Sequence, residues 1–248
     1  MTVHYRTKGF VLKKTDRQES NRIFSIFTYD FGKLEITGKA VRKINSKLRA
    51  GIDIFYLSDI EFIQGKNNKT LTDASVIKKN DNIIKDFKKL EVVCQIANIL
   101  EELIKGKEKD HKIWDLVEEI FEKLNSQDLK ISNKQLIYYY FFWNFLSALG
   151  YRPEVEKCAA CNDKLNPYNI YFSDREGGMI CKKCLLADKN AKKINSDVAK
   201  ILRLILKKDW QTVSKLKVEL LSQDLLKKIS EDYSRHILPV HYSNTNSI

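Results

Sequence analysis

From Asn21 to Val41 the chain reads NRIFSIFTYDFGKLEITGKAV, and the first half of the fold is decided there. β-Branched and aromatic residues fill two short runs, Asn21 to Tyr29 and Lys33 to Val41, around the corner Asp30-Phe31-Gly32. Runs of that kind read as strands, and a Gly that tolerates positive φ makes the join a hairpin. Three similar runs flank it: Tyr5 to Lys14, Ile52 to Gln64 and Thr70 to Lys78. In the fourth strand Ile60 and Phe62 alternate with Asp59 and Glu61, the period of a sheet wet on one face. The loop Gly65-Lys66-Asn67-Asn68-Lys69 then turns the chain back. Five short strands within residues 1–80, with a long basic connection between the third and fourth, predict a small closed β-barrel of the OB type.

At residue 81 the apolar spacing changes to threes and fours. Ile84, Phe87, Leu90, Val93, Cys94, Ala97, Leu100 and Ile104 would line one face of a long helix ending near Gly106, with Cys94 as a small core residue. Ile113, Leu116, Val117, Ile120, Phe121 and Leu124 mark a second helix. A third, Asn133 to Leu149, is apolar nearly all round and should run through the middle of a bundle, stopped by Gly150 and Pro153. Ser196 is placed to cap a helix through Leu206, and Thr212 to Leu221 and Asp224 to Leu238 are amphipathic; the tail from Tyr242 looks frayed. The expected organisation is α+β and multidomain: an OB-type barrel over 1–80, then a helical domain over 81–248 with an insertion at about 154–190.

That insertion carries Cys158-x2-Cys161 and Cys181-x2-Cys184 with 19 residues between the pairs. Two Cys-x2-Cys knuckles supply the four sulfurs that a tetrahedral zinc ion accepts, so the spacing predicts a zinc ribbon ligated by Cys158, Cys161, Cys181 and Cys184. With every position filled by protein the ion would be structural rather than catalytic. Incidental buried thiols or a redox pair would leave the repeated spacing to chance. No zinc-deaminase signature is present, since none of His4, His111, His236 and His241 begins a His-x-Glu.

Of the 248 residues, 44 are Lys or Arg and 32 Asp or Glu, a net charge of +12 that favours an anionic partner. Only 9 of the 44 are Arg, a Lys-rich bias, so position matters more than total. Residues 1–80 hold 16 basic and 8 acidic side chains, net +8, and the rest of the chain only +4. The excess peaks over 33–49, where Lys33, Lys39, Arg42, Lys43, Lys47 and Arg49 face the single acid Glu35. On an OB barrel such a run would track a phosphate backbone, with Phe10, Phe24, Phe31, Phe55 and Tyr56 available to stack bases or to fill the core. No Gly-x-Gly-x-x-Gly, Walker, His-Glu-x-x-His or Gly-x-Ser-x-Gly signature occurs, and binding rather than catalysis is expected. The amino terminus has no apolar signal-peptide core and no segment reaches the ~20 apolar residues that span a bilayer, so a cytoplasmic location is expected.

The order of parts resembles the RecO family of bacterial recombination and DNA-repair proteins. The matching stretches are Gly9 to Leu12, Glu19 to Thr28, Phe31-Gly32-Lys33 and Lys39 to Leu48, then Leu149 to Pro153 ahead of Cys158 and Cys161, and Gly177-Gly178 ahead of Cys181 and Cys184. The resemblance implies binding of single- and double-stranded DNA, annealing of complementary strands, and help in loading RecA onto strands coated by single-stranded DNA-binding protein. It implies RecR and the C-terminal tail of single-stranded DNA-binding protein as partners. By the same resemblance Lys39, Arg42, Lys43 and Lys47 fall in the family's basic barrel segment. An RNA-binding or translation-associated OB protein, or a zinc-stabilised interaction scaffold, is the alternative reading of the same residues.

Overall fold

The computed structural model describes residues 3–66, 68–106, 109–127, 134–186 and 188–237. The chain divides into two compact units, Met1–Leu129 and Lys130–Ile248. Strands give way to helices near residue 80, as expected, but two long helices beyond that point belong to the first unit.

The first unit is built on β1 (His4–Arg17), β2 (Asn21–Thr28), β3 (Gly32–Gly38), β4 (Leu57–Gln64) and β5 (Lys69–Lys78), with the one-turn helix α1 (Leu48–Gly51) between β3 and β4. They close into a barrel in the order β1-β2-β3-β5-β4, the connectivity of the OB type. All pairings are antiparallel except the seam, where β3 meets β5 in parallel through only Ile36↔Lys69 and Thr37↔Thr70. The interior is filled by Val11, Phe24, Ile26, Leu34, Ile36, Ile60, Phe62 and Leu71, with Val41 and Ile52 from the β3–β4 connection. The third strand is shorter than its sequence predicts, since residues 39–47 form successive turns, although Val41 is still buried. The fourth starts at Leu57 rather than Ile52 because the chain turns at Phe55, which sits at φ 61°. Gly51 lets α1 lie directly on β5: a Cβ there would be 1.8 Å from the Ala74 carbonyl oxygen.

A bulge between Val11 and Lys13 breaks the alternation of β1, so Phe10, Val11 and Leu12 are all buried. Val11 points into the barrel, whereas Phe10 lies outside it, against Trp114 and Phe121 of α4 (His111–Asn125). Phe27 and Tyr29 also meet Trp114, and Phe55 meets Phe121. The inward face of α4 is the apolar set read from its sequence plus Trp114.

The long helix expected over residues 84–106 is broken. A single turn, α2 (Asp81–Ile84), is followed by α3 (Phe87–Leu103), because the Asp86 side chain accepts from the Lys88 and Lys89 N–H groups and restarts the helix. The break resets the phase. Val92, Val93, Ile96, Ala97 and Leu100 are buried, with Lys89, whose ammonium donates to the Ser126 carbonyl at 2.6 Å. Ile84 and Phe87 are exposed, and so is Cys94, which is therefore not the core residue its spacing had indicated.

The second unit is wrapped on α5 (Lys134–Ala148), in which Leu136, Ile137 and every residue from Tyr139 to Leu146 are buried. It ends as expected at Gly150, where Tyr151 N–H bonds back to Leu146 and Gly150 N–H to Ser147, a Schellman closure. Beyond it come the short strands β6 (Ile170–Ser173), β7 (Gly178–Cys181) and β8 (Lys192–Ile194), in the order β7-β6-β8, then α6 (Ser196–Leu206), α7 (Trp210–Val213) and α8 (Leu220–Ile237). Asn195, not Ser196, caps α6, accepting from Val198 N–H at 2.9 Å. The stretch expected to be helical from Thr212 to Leu221 holds only α7, and Leu220 opens α8. Trp143, Phe172 and Tyr233 tie α5, β6 and α8 together. The expected fraying from Tyr242 lies outside the described residues.

Trp114→Ala is expected to destabilise the first unit by about 3–5 kcal/mol, the usual cost of emptying a large buried ring, in chemical denaturation followed by circular dichroism. Phe87→Ala, at a side chain 78% exposed, should stay within about 0.5 kcal/mol. Equal losses would contradict the packing described.

Candidate nucleic-acid interface and four-cysteine centre

The two turns at one rim of the barrel, β1–β2 and β4–β5, face each other across the β3–β5 seam. Between them lies a groove of about 350 Å³ lined by Arg17, Gln18 and Asn21 from the first turn, Thr37 and Lys39 from the end of β3, and Gly65, Lys66, Asn68 and Thr70 from the second. No acid lines it. A second depression, about 270 Å³, shares Arg17, Thr37 and Asn68 and adds Lys33, Lys69 and Lys105, with Glu35 as its one acid. Because the seam is only two residue pairs long, β3 and β5 diverge beyond it and leave this shallow polar track open.

The basic connection after β3 is fastened to the β1–β2 turn. Ala40 N–H donates to Asn21 Oδ1 at 2.9 Å and Arg42 N–H to the Ser20 carbonyl at 3.1 Å. The Arg42 guanidinium donates to the Gln18 carbonyl at 3.2 Å and lies 3.4 Å from Asp16, which also holds Arg22 at 2.6 Å. The hydrogen bond and then the charge of Arg22, with a smaller contribution from Arg42, hold the Asp16 carboxyl below its ordinary range against the opposing effect of burial.

The six cations read from the sequence therefore separate by role. Lys39 is exposed in the groove wall, and Arg42 is half spent on bracing it. Lys43, Lys47 and Arg49 are exposed along the connection, with no side-chain partner among the described residues. Lys33 departs from the set: its ammonium is engaged by the Glu101 carbonyl and lies 3.7 Å from the Glu101 carboxylate, which also accepts from Ser25. That cation docks α3 on the barrel. Arg17 and Lys66 were missed, as isolated residues far apart in sequence, although an OB reading alone sets their two turns on one rim.

None of the five aromatics considered for base stacking is exposed. Phe24 is inside the barrel, Phe10 and Phe55 lie beneath α4, Phe31 meets Tyr5 and Phe62 edge-on, and Tyr56 is half-buried with the Lys79 ammonium 6.0 Å from its ring.

In the second unit the sulfurs of Cys158, Cys161, Cys181 and Cys184 all lie within 4.8 Å of one another. Cys158 is fully buried and Cys161 exposed; Cys181 ends β7 and Cys184 lies in the 3₁₀ turn Lys182–Leu186. The Cys181 N–H donates to the Cys158 sulfur at 3.3 Å. Burial would raise the Cys158 thiol, but backbone N–H groups of Cys161, Cys181 and Ala160 outweigh it and bring it down to about 6. The hydrogen bond with Cys161 and then burial push Cys184 up to about 12. Four sulfurs this close cannot all carry charge in water alone, and a soft dication at their centre removes the conflict.

The first knuckle is held by Glu154. Its backbone pairs with Gly177 and Met179, and its carboxylate accepts from Glu156 N–H at 2.8 Å, which sets its pKa below the usual 4.5. Close approach of the two backbones requires glycine opposite, because a Cβ on Gly178 would be 2.2 Å from the Glu154 carbonyl oxygen.

Comparison with known proteins bears on both halves. Residues 1–80 match the family model described as Recombination protein O N terminal, and residues 84–242 match Recombination protein O C terminal. The chain belongs to the RecO family of DNA repair proteins. Among curated RecO proteins, the DNA repair protein RecO of Caldanaerobacter subterraneus subsp. tengcongensis is 27% identical over 239 residues, covering 96% of this chain and 95% of that one. The protein of the same name from Acetivibrio thermocellus is 28% identical over 245 residues, 99% and 96% of the two chains. The RecO N-terminal match ends where the barrel ends, and the C-terminal match takes in α3 and α4 as well as the four-cysteine lobe. Among the described residues no helix is long and apolar enough to cross a membrane.

Because the Glu154 carboxyl has a lowered pKa, the stability it lends is present above about pH 4.5 and is lost as pH falls through its folded value. Glu154→Ala should lower the melting temperature of the second unit at pH 7 and remove part of its acid sensitivity, read by thermal scans at pH 7 and pH 4. An unchanged difference between the two pH values would contradict the role assigned to Glu154.

Proposed function

We propose that this RecO-family protein is a recombination mediator that binds single- and double-stranded DNA on its barrel, anneals complementary strands, and helps RecA load onto strands coated by single-stranded DNA-binding protein. The observation that carries the reading is the groove that sets Arg17, Lys39 and Lys66 around one track with no acid among the described residues of its lining. Lys39, Arg42, Lys43, Lys47 and Arg49 extend the cationic surface along the connection, while Lys33 is left out because Glu101 already holds it. Strands repel each other, and a cationic surface that screens phosphates lowers the barrier to pairing without a catalytic centre. The protein would act by binding, in the cytoplasm, with RecR as a partner. For the acidic, apolar-tipped tail of single-stranded DNA-binding protein, the cleft of about 360 Å³ lined by Pro167, Tyr168, Lys193, Ile194 and Leu225 pairs a cation with apolar side chains.

The four-cysteine centre fits one structural zinc ion, held by Cys158, Cys161, Cys181 and Cys184. Thiolate donors in a closed set of four suit zinc, which would brace the two knuckles and leave no open position. Thiolates must be deprotonated to bind, so acidification should release the ion. The purified protein is expected to carry one zinc per chain at pH 7, with Cys158→Ser losing it while DNA binding by the barrel persists. A metal-free wild type with an intact lobe would contradict the assignment.

Each phosphate contact on single-stranded DNA contributes about −0.7 to the slope of log affinity against log salt. Among the described residues the side chains of Lys39, Lys43 and Lys47 make no hydrogen bond or ion pair, so changing all three to Ala should leave the fold intact, flatten the slope by up to about 2, and slow annealing with or without single-stranded DNA-binding protein. Annealing and binding at wild-type levels would remove this segment from the site.

A further inference from the structure

We infer that the barrel groove holds a nucleic-acid strand by its sugar-phosphate chain alone, with the bases turned away from the protein, unstacked on any side chain and free to pair. This rests on the proposal that the groove binds DNA, and specifies what part of the DNA is recognised.

The lining is the first ground. Among the described residues the two depressions present cations at Arg17, Lys39 and Lys66 and neutral hydrogen-bonding groups at Asn21, Thr37 and Asn68, and no Phe, Tyr, Trp or His. The residues of the first unit outside the description, 1, 2, 67, 107, 108, 128 and 129, include no aromatic either. Guanidinium, ammonium, amide and hydroxyl groups suit phosphate and sugar oxygens. A base face needs a ring or a free guanidinium plane.

The second ground is where the barrel's rings have gone. Phe24 and Phe62 fill the interior, Tyr5 stacks on Phe62, and Phe10, Phe27 and Phe55 are covered by α4. Tyr29 stands edge-on to Trp114 with the Lys8 ammonium 4.9 Å from its ring. No Phe, Tyr or Trp of the barrel is exposed among the described residues, and swinging one out would open the core; the exposed His4 lies outside both depressions with its Nδ1 2.5 Å from Glu61. Single-strand binders that protect DNA bury bases on aromatic platforms; this groove has the electrostatic half of such a site without the platform. A strand held this way keeps its pairing edges in water while its phosphates are screened, the state from which a complementary strand can zip on.

The test compares, by fluorescence anisotropy with the full-length protein at low salt, a mixed-sequence oligodeoxynucleotide and an abasic oligomer of equal phosphate number. The inference expects the two dissociation constants to agree to better than about fivefold, with equal salt slopes, since a single stacked base is worth about 5- to 150-fold. A larger loss confined to the abasic oligomer overturns the inference and leaves DNA binding standing. Failure of both oligomers to bind overturns the DNA reading itself, and this inference with it. Arg17→Lys keeps the charge and removes the one unbraced plane in the groove that can stack, so it should leave both affinities unchanged; a selective loss on the natural oligomer would place a base on Arg17.

Discussion

Trp114 and Phe121 of α4 press on Phe10, Phe27 and Phe55 across the outer wall of the barrel, and much of the first unit follows from that contact. It buries both faces of β1 at this point: Phe10 faces outward to α4, and Val11, next in the pleat, faces inward. It makes α4 part of the same compact body as the strands. It also commits the barrel's large rings to packing, so the open seam between β3 and β5 is finished with polar and cationic side chains.

That division of labour links stability to function. The apolar effect holds the wall, and charge is concentrated where the wall is weakest, at a seam of two residue pairs flanked by two turns. The connection carrying the cations is not loose: Asn21, Ser20 and Gln18 receive its backbone and the Arg42 side chain, so Lys39 is fixed against the groove. The second unit follows another logic. Its four-cysteine lobe has a three-stranded sheet of short strands, and Glu154 and Gly178 hold the backbones that bring the four sulfurs together.

The barrel and the sulfur cluster were legible in the sequence for simple reasons. Alternation in Asp59 to Phe62, a glycine corner at Gly32 and a repeated Cys-x2-Cys are local signals with one structural meaning each. What could not be read depended on tertiary choices. Ile84, Phe87 and Cys94 fit a helical period, but the Asp86 cap breaks the helix and turns them to the surface. Lys33 sits in a run of cations, yet Glu101, 68 positions away, takes its ammonium. Arg17 and Lys66 meet only because the barrel closes, so no window of sequence contains both.

The account stands most directly on the charge of that rim. The decisive measurement is the salt dependence of single-stranded DNA affinity for the double variant Arg17→Ala/Lys66→Ala against the parent protein. Loss of two phosphate contacts predicts a slope shallower by about 1.4, the same for every oligonucleotide sequence tried. A slope identical to the parent's, with affinity retained, would contradict the claim that DNA lies in this groove.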